Sequence, residues 1–135
     1  ERLGPDRILG AYAWRSLRRA GATLTFNADN PGSDHDIFYG LHAAITRRDR
    51  EGEPPGGWYP EQAFTAEEAL RAYTSWSAHA SFLEDETGIL EVGKRADLTV
   101  LDLDPLAVAE GNPAGLLEGD VLLTVVDGEI VYARD

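Results

Sequence analysis

The order of hydrophobic patterns in the first half of the chain most constrains how it can fold. A pattern of helical spacing covers residues 5–20, and a short β-prone run follows at 22–26. That run ends in the turn-forming residues 27–34, after which a second helix is predicted from about Asp36. The order helix, short strand, polar loop, helix is typical of an α/β unit built around a buried parallel strand.

The middle of the chain continues with helical signals. Residues 50–59 are rich in glycine and proline and predict an irregular loop. Thr65 and Glu68 have the spacing of a capping box, which marks the start of a helix. Apolar residues from Ala69 to Leu83 then recur at steps of four and three, which predicts one continuous amphipathic helix.

The last third of the chain changes to the period of β-strands. Residues 97–103 predict a strand that Asp104-Pro105 ends. Two β-branched runs at 121–126 and 129–132 flank Asp127-Gly128, the dipeptide that suits a tight hairpin turn. The sequence therefore predicts α/β structure at the front and antiparallel β structure at the back.

Composition excludes several classes of function. The 135 residues suit about one domain and carry a formal net charge of -12, which disfavours nucleic-acid and anionic-membrane partners. No apolar run approaches the ~20 residues that a membrane helix requires. The chain lacks cysteine, which rules out disulfides and thiolate metal sites. Composition does not identify a compartment, and among compartments we favour the cytoplasm. The chain has no methionine and begins with Glu1, so we expect a processed, trimmed or divided chain.

Asp29 is the strongest candidate for chemistry. It directly follows the predicted buried strand, and active sites of α/β barrels and open α/β sheets are built at the carboxyl ends of their strands. A carboxylate there can ligate Zn²⁺ or act as a general base. The alternative is an N-cap or Asx-turn aspartate before a helix, and the residue pattern alone favours that alternative.

The three histidines give a weaker signal. His35 could be a metal ligand or a substrate contact, but a solvated histidine at a helix start is the more frequent case. His42 and His79 lie within predicted helices, where packed or surface histidines are commoner than ligands. No His-x-His or His-Glu-x-x-His pair occurs, so this chain alone predicts no recognisable zinc site.

Six segments, in order over nearly the whole chain, together resemble the YtcJ-like branch of the amidohydrolase superfamily. No single segment is decisive, and the strength of the resemblance lies in their order. The segments are YAWRSL (12–17), FNADNPGSDHD (26–36), AAITRR (43–48), GGWYPEQ (56–62), EALRAYT (68–74) and GKRADL (93–98).

This resemblance implies a fold. It is the last β/α unit of a (β/α)8 TIM-type barrel, followed by the C-terminal strands of a small β-sandwich domain. Residues 1–92 would form the C-terminal part of the barrel, with residues 24–27 as its eighth strand. Residues 93–135 would belong to the sandwich, which such proteins form from both chain ends.

The resemblance also implies a site. Asp29 matches the strand-end aspartate that contacts the metal and orients or deprotonates the attacking water. Asn30 and His35 are the residues we expect to contact substrate. The implied cofactor is a divalent metal, Zn²⁺ by expectation, with most of its ligands outside this chain. The chain departs from the family at Ala28, where serine is usual, and at Asn30, where an apolar residue is more frequent.

Two hypotheses follow. In the first, the chain is the C-terminal portion of a metal-dependent hydrolase that acts on amide or other C–N bonds through a metal-activated water. Its partners are the N-terminal portion of the same enzyme and a small-molecule substrate; we expect a homo-oligomer and no activity without the N-terminal portion. In the second, the chain is a non-catalytic structural or interaction module, such as a domain-swapped oligomer, that retains the fold segments without a complete metal site.

Overall fold

The computed structural model describes residues 3–33 and 35–135, so the expectations that involve Glu1 and Asp34 concern residues outside the described part. None of the helices in the described part is long and apolar enough to cross a bilayer. The helices are α1 (Gly4–Ile8), α2 (Trp14–Arg19), α3 (Ile37–Thr46), α4 (Ala66–Tyr73), α5 (Ser75–Ala80) and α6 (Pro105–Gly111); 3₁₀ segments span Pro60–Gln62 and Pro113–Glu118, and the strands are β1 (Leu98–Leu101), β2 (Val121–Val126) and β3 (Glu129–Ala133).

The single helix predicted over residues 5–20 is wrong, because the chain turns between α1 and α2. Tyr12 lies in the left-handed region at φ 49°, which a right-handed helix cannot accommodate. Its ring packs edge-on against Trp14 and Trp58, with centroids 6.3 and 5.8 Å away. Gly21 is left-handed after α2, at φ 90°.

Residues 22–28 form an extended segment whose side chains alternate between half-buried and exposed. Leu24 and Phe26 pack on the core, while Thr23 and Thr25 face outward. The predicted parallel strand is thus extended, but it joins no sheet among the described residues. The N–H of Phe26 instead donates to the carbonyl of Ala72 in α4, at 3.0 Å.

The core lies where α3 meets α4 and the 3₁₀ segment Pro113–Glu118. Asp36 caps the predicted helix α3, and its carboxylate accepts from the N–H groups of Phe38 and Tyr39. Phe26 packs edge-on against Tyr73, whose hydroxyl lies over Gly40 of α3 and leaves no room for a side chain there. The buried residues of this core are Leu41, Ala44, Phe64, Ala69, Ala72 and Leu116.

The capping box at the start of α4 is confirmed, but the continuous helix predicted from Ala69 to Leu83 is wrong. Thr74 interrupts it at φ -124° and ψ -97°, outside the helical region. The Thr74 hydroxyl donates to the carbonyl of Leu70 at 2.7 Å. The chain resumes as α5 and ends that helix at Ala80, so Leu83 lies in the following turn.

The C-terminal third forms an antiparallel sheet in the order β1-β2-β3. The predicted hairpin is confirmed, with Asp127 and Gly128 both at positive φ, 53° and 83°. The strand predicted over 97–103 is shorter than expected, because β1 ends at Leu101. Asp104 then caps α6, a helix not predicted from the sequence, by accepting from the N–H groups of Leu106 and Ala107.

Candidate functional site

Asp29 stands directly beyond the extended segment, and its side chain is exposed. Its backbone is left-handed, at φ 51°. The N–H of Asp29 donates to the side-chain oxygen Oδ1 of Asn27 at 2.7 Å. Asn27 is not among the site residues predicted from the sequence, although an asparagine two residues ahead of a backbone donor is a known turn signal.

The rest of the loop closes on the backbone of Asp29. The N–H groups of Gly32 and Ser33 both donate to its carbonyl oxygen. The hydroxyl of Ser33 donates to the carbonyl of Ala28. Among the described residues, none donates a hydrogen bond to the Asp29 carboxylate, so the loop uses the backbone of Asp29 and leaves its carboxylate available.

The start of α3 shows whether Asp29 is the aspartate that caps this helix. The residue that caps this helix is Asp36, whose Oδ1 lies 2.9 Å from the nitrogen of Phe38 and 3.2 Å from that of Tyr39. The acceptor side chain of the Asx turn belongs to Asn27. Neither structural role therefore falls to the carboxylate of Asp29.

Asn30 and His35, the predicted substrate contacts, lie on the same exposed segment as Asp29. Asn30 adjoins Asp29 in the turn, and His35 directly precedes the cap of α3. The structure thus places all three on one connection between the extended segment and α3. Their roles in binding stay predictions.

An ion pair holds the end of this connection that precedes α3. The carboxylate of Asp36 pairs with Arg50 at 3.0 Å, and the Arg50 guanidinium lies 4.4 Å from the centre of the Tyr39 ring. Burial raises the pKa of Tyr73, and the negative charge of Asp36 acts in the same direction. The contacts of Arg50 tie the start of α3 to the loop that follows this helix, and thereby hold one end of the Asp29 loop.

The other two histidines lie away from this loop. His42 is buried in α3 at 2% exposure. His79 lies on α5 with its side chain 63% exposed, and its Nδ1 is 3.0 Å from a carboxylate oxygen of Glu84. The interpretation of both as packed or surface histidines is confirmed.

The exposed carboxylate of Asp29 is suited to serve as one ligand of a divalent metal. Zn²⁺ binds carboxylate oxygens, and that of Asp29 is exposed. Within residues 3–33 and 35–135, no three His, Asp or Glu side chains form a group that could hold a metal ion. A complete metal site would need further ligands beside Asp29.

An apolar groove of about 710 Å³ separates the helices from the sheet. Its lining includes Leu70, Tyr73, Ala78, Leu98 and Val125, and it does not include Asp29. The carboxylate in this lining, Asp97, accepts hydrogen bonds from the Thr87 hydroxyl and the Asp127 N–H, so the fold already uses both of its oxygens. The site is therefore the exposed loop and not the groove.

Known proteins resemble the chain over most of its length. A family model described as "Amidohydrolase family" matches residues 1–132. N-substituted formamide deformylase of Arthrobacter pascens is 41% identical over 93% of this chain and 22% of its own length. YtcJ, a Bacillus subtilis (strain 168) protein assigned to the amidohydrolases, is 31% identical over 99% of this chain and 25% of its own length.

Two further matches agree with these. The 5-methylthioadenosine/S-adenosylhomocysteine deaminase of Symbiobacterium thermophilum is 31% identical over 86% of this chain and 27% of its own length. A crystal structure of an amidohydrolase from Thermotoga maritima MSB8 superimposes with a TM-score of 0.62 at 22% identity, over 91% of this chain and 26% of that one. That likeness shows a shared fold. The chain spans about a quarter of the length of the curated relatives it matches.

Proposed function

Because the chain belongs to the amidohydrolase family, we propose that it is the C-terminal portion of a metal-dependent hydrolase that cleaves amide or other C–N bonds. Relatives named as a deformylase and a deaminase support that reaction class. The observation that carries the proposal is the carboxylate of Asp29, exposed at the end of an extended segment and left unused by the fold. A carboxylate in that position is suited to proton transfer.

In this proposal Asp29 handles the proton of the attacking water. A divalent metal, Zn²⁺ by our expectation, supplies Lewis-acid polarisation of the substrate carbonyl and of water when bound. Asp29 accepts the proton as the new C–O bond forms, and returns it to the nitrogen as the C–N bond breaks. Asn30 and His35 contact the substrate, and the departures at Ala28 and Asn30 alter its fit.

We place the remaining metal ligands in the N-terminal portion of the enzyme, as a second polypeptide or as the rest of a divided chain. Relatives are about four times as long as this chain, and their additional length is where we place the other metal ligands. Residues 1–92 would complete a (β/α)8 barrel with the N-terminal portion, and residues 93–135 would complete a small β-sandwich. The chain alone would then be inactive, and the assembled enzyme a cytoplasmic homo-oligomer.

The test is the substitution Asp29→Asn in the complete assembly of this chain with its N-terminal portion. Removing a general base costs roughly 10²- to 10⁴-fold in turnover, so we expect a loss of that size with the fold intact. Turnover would be measured on an N-substituted formamide and on 5-methylthioadenosine, chosen from the names of the relatives.

The matched control is Asp85→Asn, which removes another exposed carboxylate, from the turn after α5. It should leave turnover unchanged. Near wild-type turnover of the Asp29→Asn enzyme would remove Asp29 from the mechanism.

The non-catalytic alternative is favoured by one observation, the lack of a metal-binding group among the described residues. Purifying the chain and measuring what binds to it distinguishes this alternative from the enzymatic proposal. Co-purification of a larger fragment together with stoichiometric metal supports the enzyme. A metal-free chain that assembles only with itself, and gains no metal when the N-terminal portion is added, supports the module.

A further inference from the structure

The backbone of Asp29 is left-handed, and the peptide group that precedes it is held by a neighbouring side chain. Residues other than glycine seldom occupy the left-handed region, where Asp29 lies at φ 51°. The Oδ1 atom of Asn27 accepts the N–H of Asp29 at 2.7 Å, which links the end of the extended segment to the turn. That hydrogen bond fixes the orientation of the peptide group between Ala28 and Asp29, and therefore the direction from which the chain enters Asp29.

The carboxylate of Asp29 lies over a residue that has no side chain. A Cβ built on Gly32 would stand 2.9 Å from the carbonyl oxygen of Asp29 and 3.1 Å from its Oδ2. The backbone of Gly32 lies outside the left-handed region, so any residue could adopt its φ. A methyl group at position 32 would therefore crowd both the carbonyl oxygen and the carboxylate of Asp29, and glycine leaves the carboxylate that space.

We propose that Asn27 and Gly32 are positioning residues that set the direction of the Asp29 carboxylate, Asn27 through the Asp29 backbone and Gly32 through the space beside Oδ2. This inference rests on the proposed function of Asp29 and adds how the direction of its carboxylate is set. Both residues act on one carboxylate from opposite sides of the same turn. Neither one needs to touch substrate or metal.

The consequence is a specific kinetic signature. A displacement of about 1 Å in a reacting group can lower a rate by roughly 10²-fold, while binding made by other residues persists. Asn27→Ala and Gly32→Ala in the complete assembly should therefore lower kcat by about 10- to 100-fold. With the metal supplied at saturation, the KM and the urea midpoint of unfolding should stay at wild-type values.

Two variants serve as matched controls. Asn27→Asp retains an acceptor oxygen at the same distance along the side chain, so it should restore much of the kcat lost in Asn27→Ala. Gly111→Ala adds the same methyl group at the end of α6, where a Cβ meets open space and φ is not left-handed, and it should behave as wild type.

A second readout does not depend on turnover. Hydrogen exchange of the Asp29 amide, followed by mass spectrometry of a peptide that covers the loop, should be faster in Asn27→Ala than in wild type or Asn27→Asp. A bonded amide exchanges only when its bond opens, so the rate reports the Asn27 contact directly.

The outcomes separate this inference from the proposed function. Wild-type kcat in both Asn27→Ala and Gly32→Ala, with Asp29→Asn inactive, would overturn the inference and leave the proposed function standing. A kcat loss that tracks a lower urea midpoint, with no rescue by Asn27→Asp, would mean a merely structural role and would overturn it equally. Full turnover of Asp29→Asn itself would overturn the proposed function.

Discussion

Arg47 and His42 are the two polar side chains that the described core buries most completely, at 7% and 2% exposure. The guanidinium of Arg47 lies between the rings of Trp14 and Trp58, 4.2 and 4.9 Å from their centres. Its Nε donates to the carbonyl of Trp58 at 3.0 Å. These cation–π contacts and the hydrogen bond to Trp58 offset the cost of burying the charge.

His42 is buried with fewer polar contacts than Arg47 has. Its Nδ1 finds no hydrogen-bond partner among the described residues, and its Nε2 is 3.5 Å from the hydroxyl of Thr46. Burial lowers the pKa of His42 below its ordinary value of 6.5, and the positive charge of Arg48 acts in the same direction. Asp49 opposes them with a smaller effect. His42 is therefore neutral in the folded chain at neutral pH.

Acid should destabilise the chain through His42. Because the folded pKa is lower than the unfolded one, the unfolded state takes up the proton first as the pH falls. The free energy of unfolding should fall as the pH drops below about 6.5 towards the folded pKa, and the loss should level off below it. Urea unfolding at about pH 7.5 and pH 5.5 measures the difference.

The variant His42→Leu should remove most of this dependence, while His79→Gln, at an exposed histidine, should keep it. Hydrogen bonds from Arg15 lower the pKa of Glu68, so the stability that this carboxylate contributes is lost only below its ordinary value of 4.5. The chosen pH window therefore isolates the histidine. Equal acid sensitivity in wild type and His42→Leu would contradict this account.

At the same scale, the sequence indicated Asp29 but not the residues that hold it. Position after a β-prone run and family resemblance both point to the aspartate. The contributions of Asn27 and Gly32 depend on the path of the turn, which brings Gly32 back onto Asp29. A spacing pattern does not specify that path.

At the scale of elements, the start of α4 couples two parts of the chain. The hydroxyl of Thr65 accepts from the N–H of Glu68 at 3.2 Å, and Glu68 accepts from the N–H of Thr65 at 3.0 Å. The same Glu68 carboxylate receives two hydrogen bonds from Arg15 of α2, at 2.8 and 2.6 Å. The cap therefore fixes α4 relative to α2.

Thr65→Ala should lower the free energy of unfolding by about 1 kcal/mol, the usual cost of losing an N-cap hydroxyl. Thr65→Ser keeps the hydroxyl and should lose much less. Urea unfolding at neutral pH compares the two variants. A Thr65→Ala protein as stable as Thr65→Ser would show that the cap contributes nothing.

The sequence predicts helices and strands correctly where local chemistry determines them. It fails where contacts between distant residues determine where a helix breaks. The capping box and the Asp127-Gly128 hairpin are local patterns, and both are confirmed. The break at Tyr12 depends on packing against Trp58, which is distant in sequence. The sequence predicts that Asp104-Pro105 ends a strand, but a capping aspartate before proline also begins a helix, as it does in α6.

At the scale of the whole molecule, several apolar surfaces face solvent. β3 is exposed along its full length, with Ile130 at 66% exposure. Phe82 and Val92, in the connection before β1, are 89% and 103% exposed. The extended segment at 22–28 has no strand partner among the described residues. Exposed edges and apolar patches of this kind suit a surface that other polypeptide covers.

The α/β class and the antiparallel hairpin could be predicted from the sequence, because each pattern is local and repeated. The barrel and the sandwich stay proposals, because both depend on strand pairing with the N-terminal portion. The same holds for the metal. One carboxylate indicates where a ligand belongs, and the other ligands depend on residues that Asp29 would meet only in a larger assembly.

The central claim is that Asp29 belongs to a metal site completed by the N-terminal portion. Metal bound per chain, measured by elemental mass spectrometry on the chain alone and on its complex with that portion, tests this claim most directly. We expect no stoichiometric metal on the chain alone, metal in the complex, and a lower metal affinity in the complex that carries Asp29→Asn. Stoichiometric metal on the lone chain, or an unchanged affinity in the variant complex, would contradict the account.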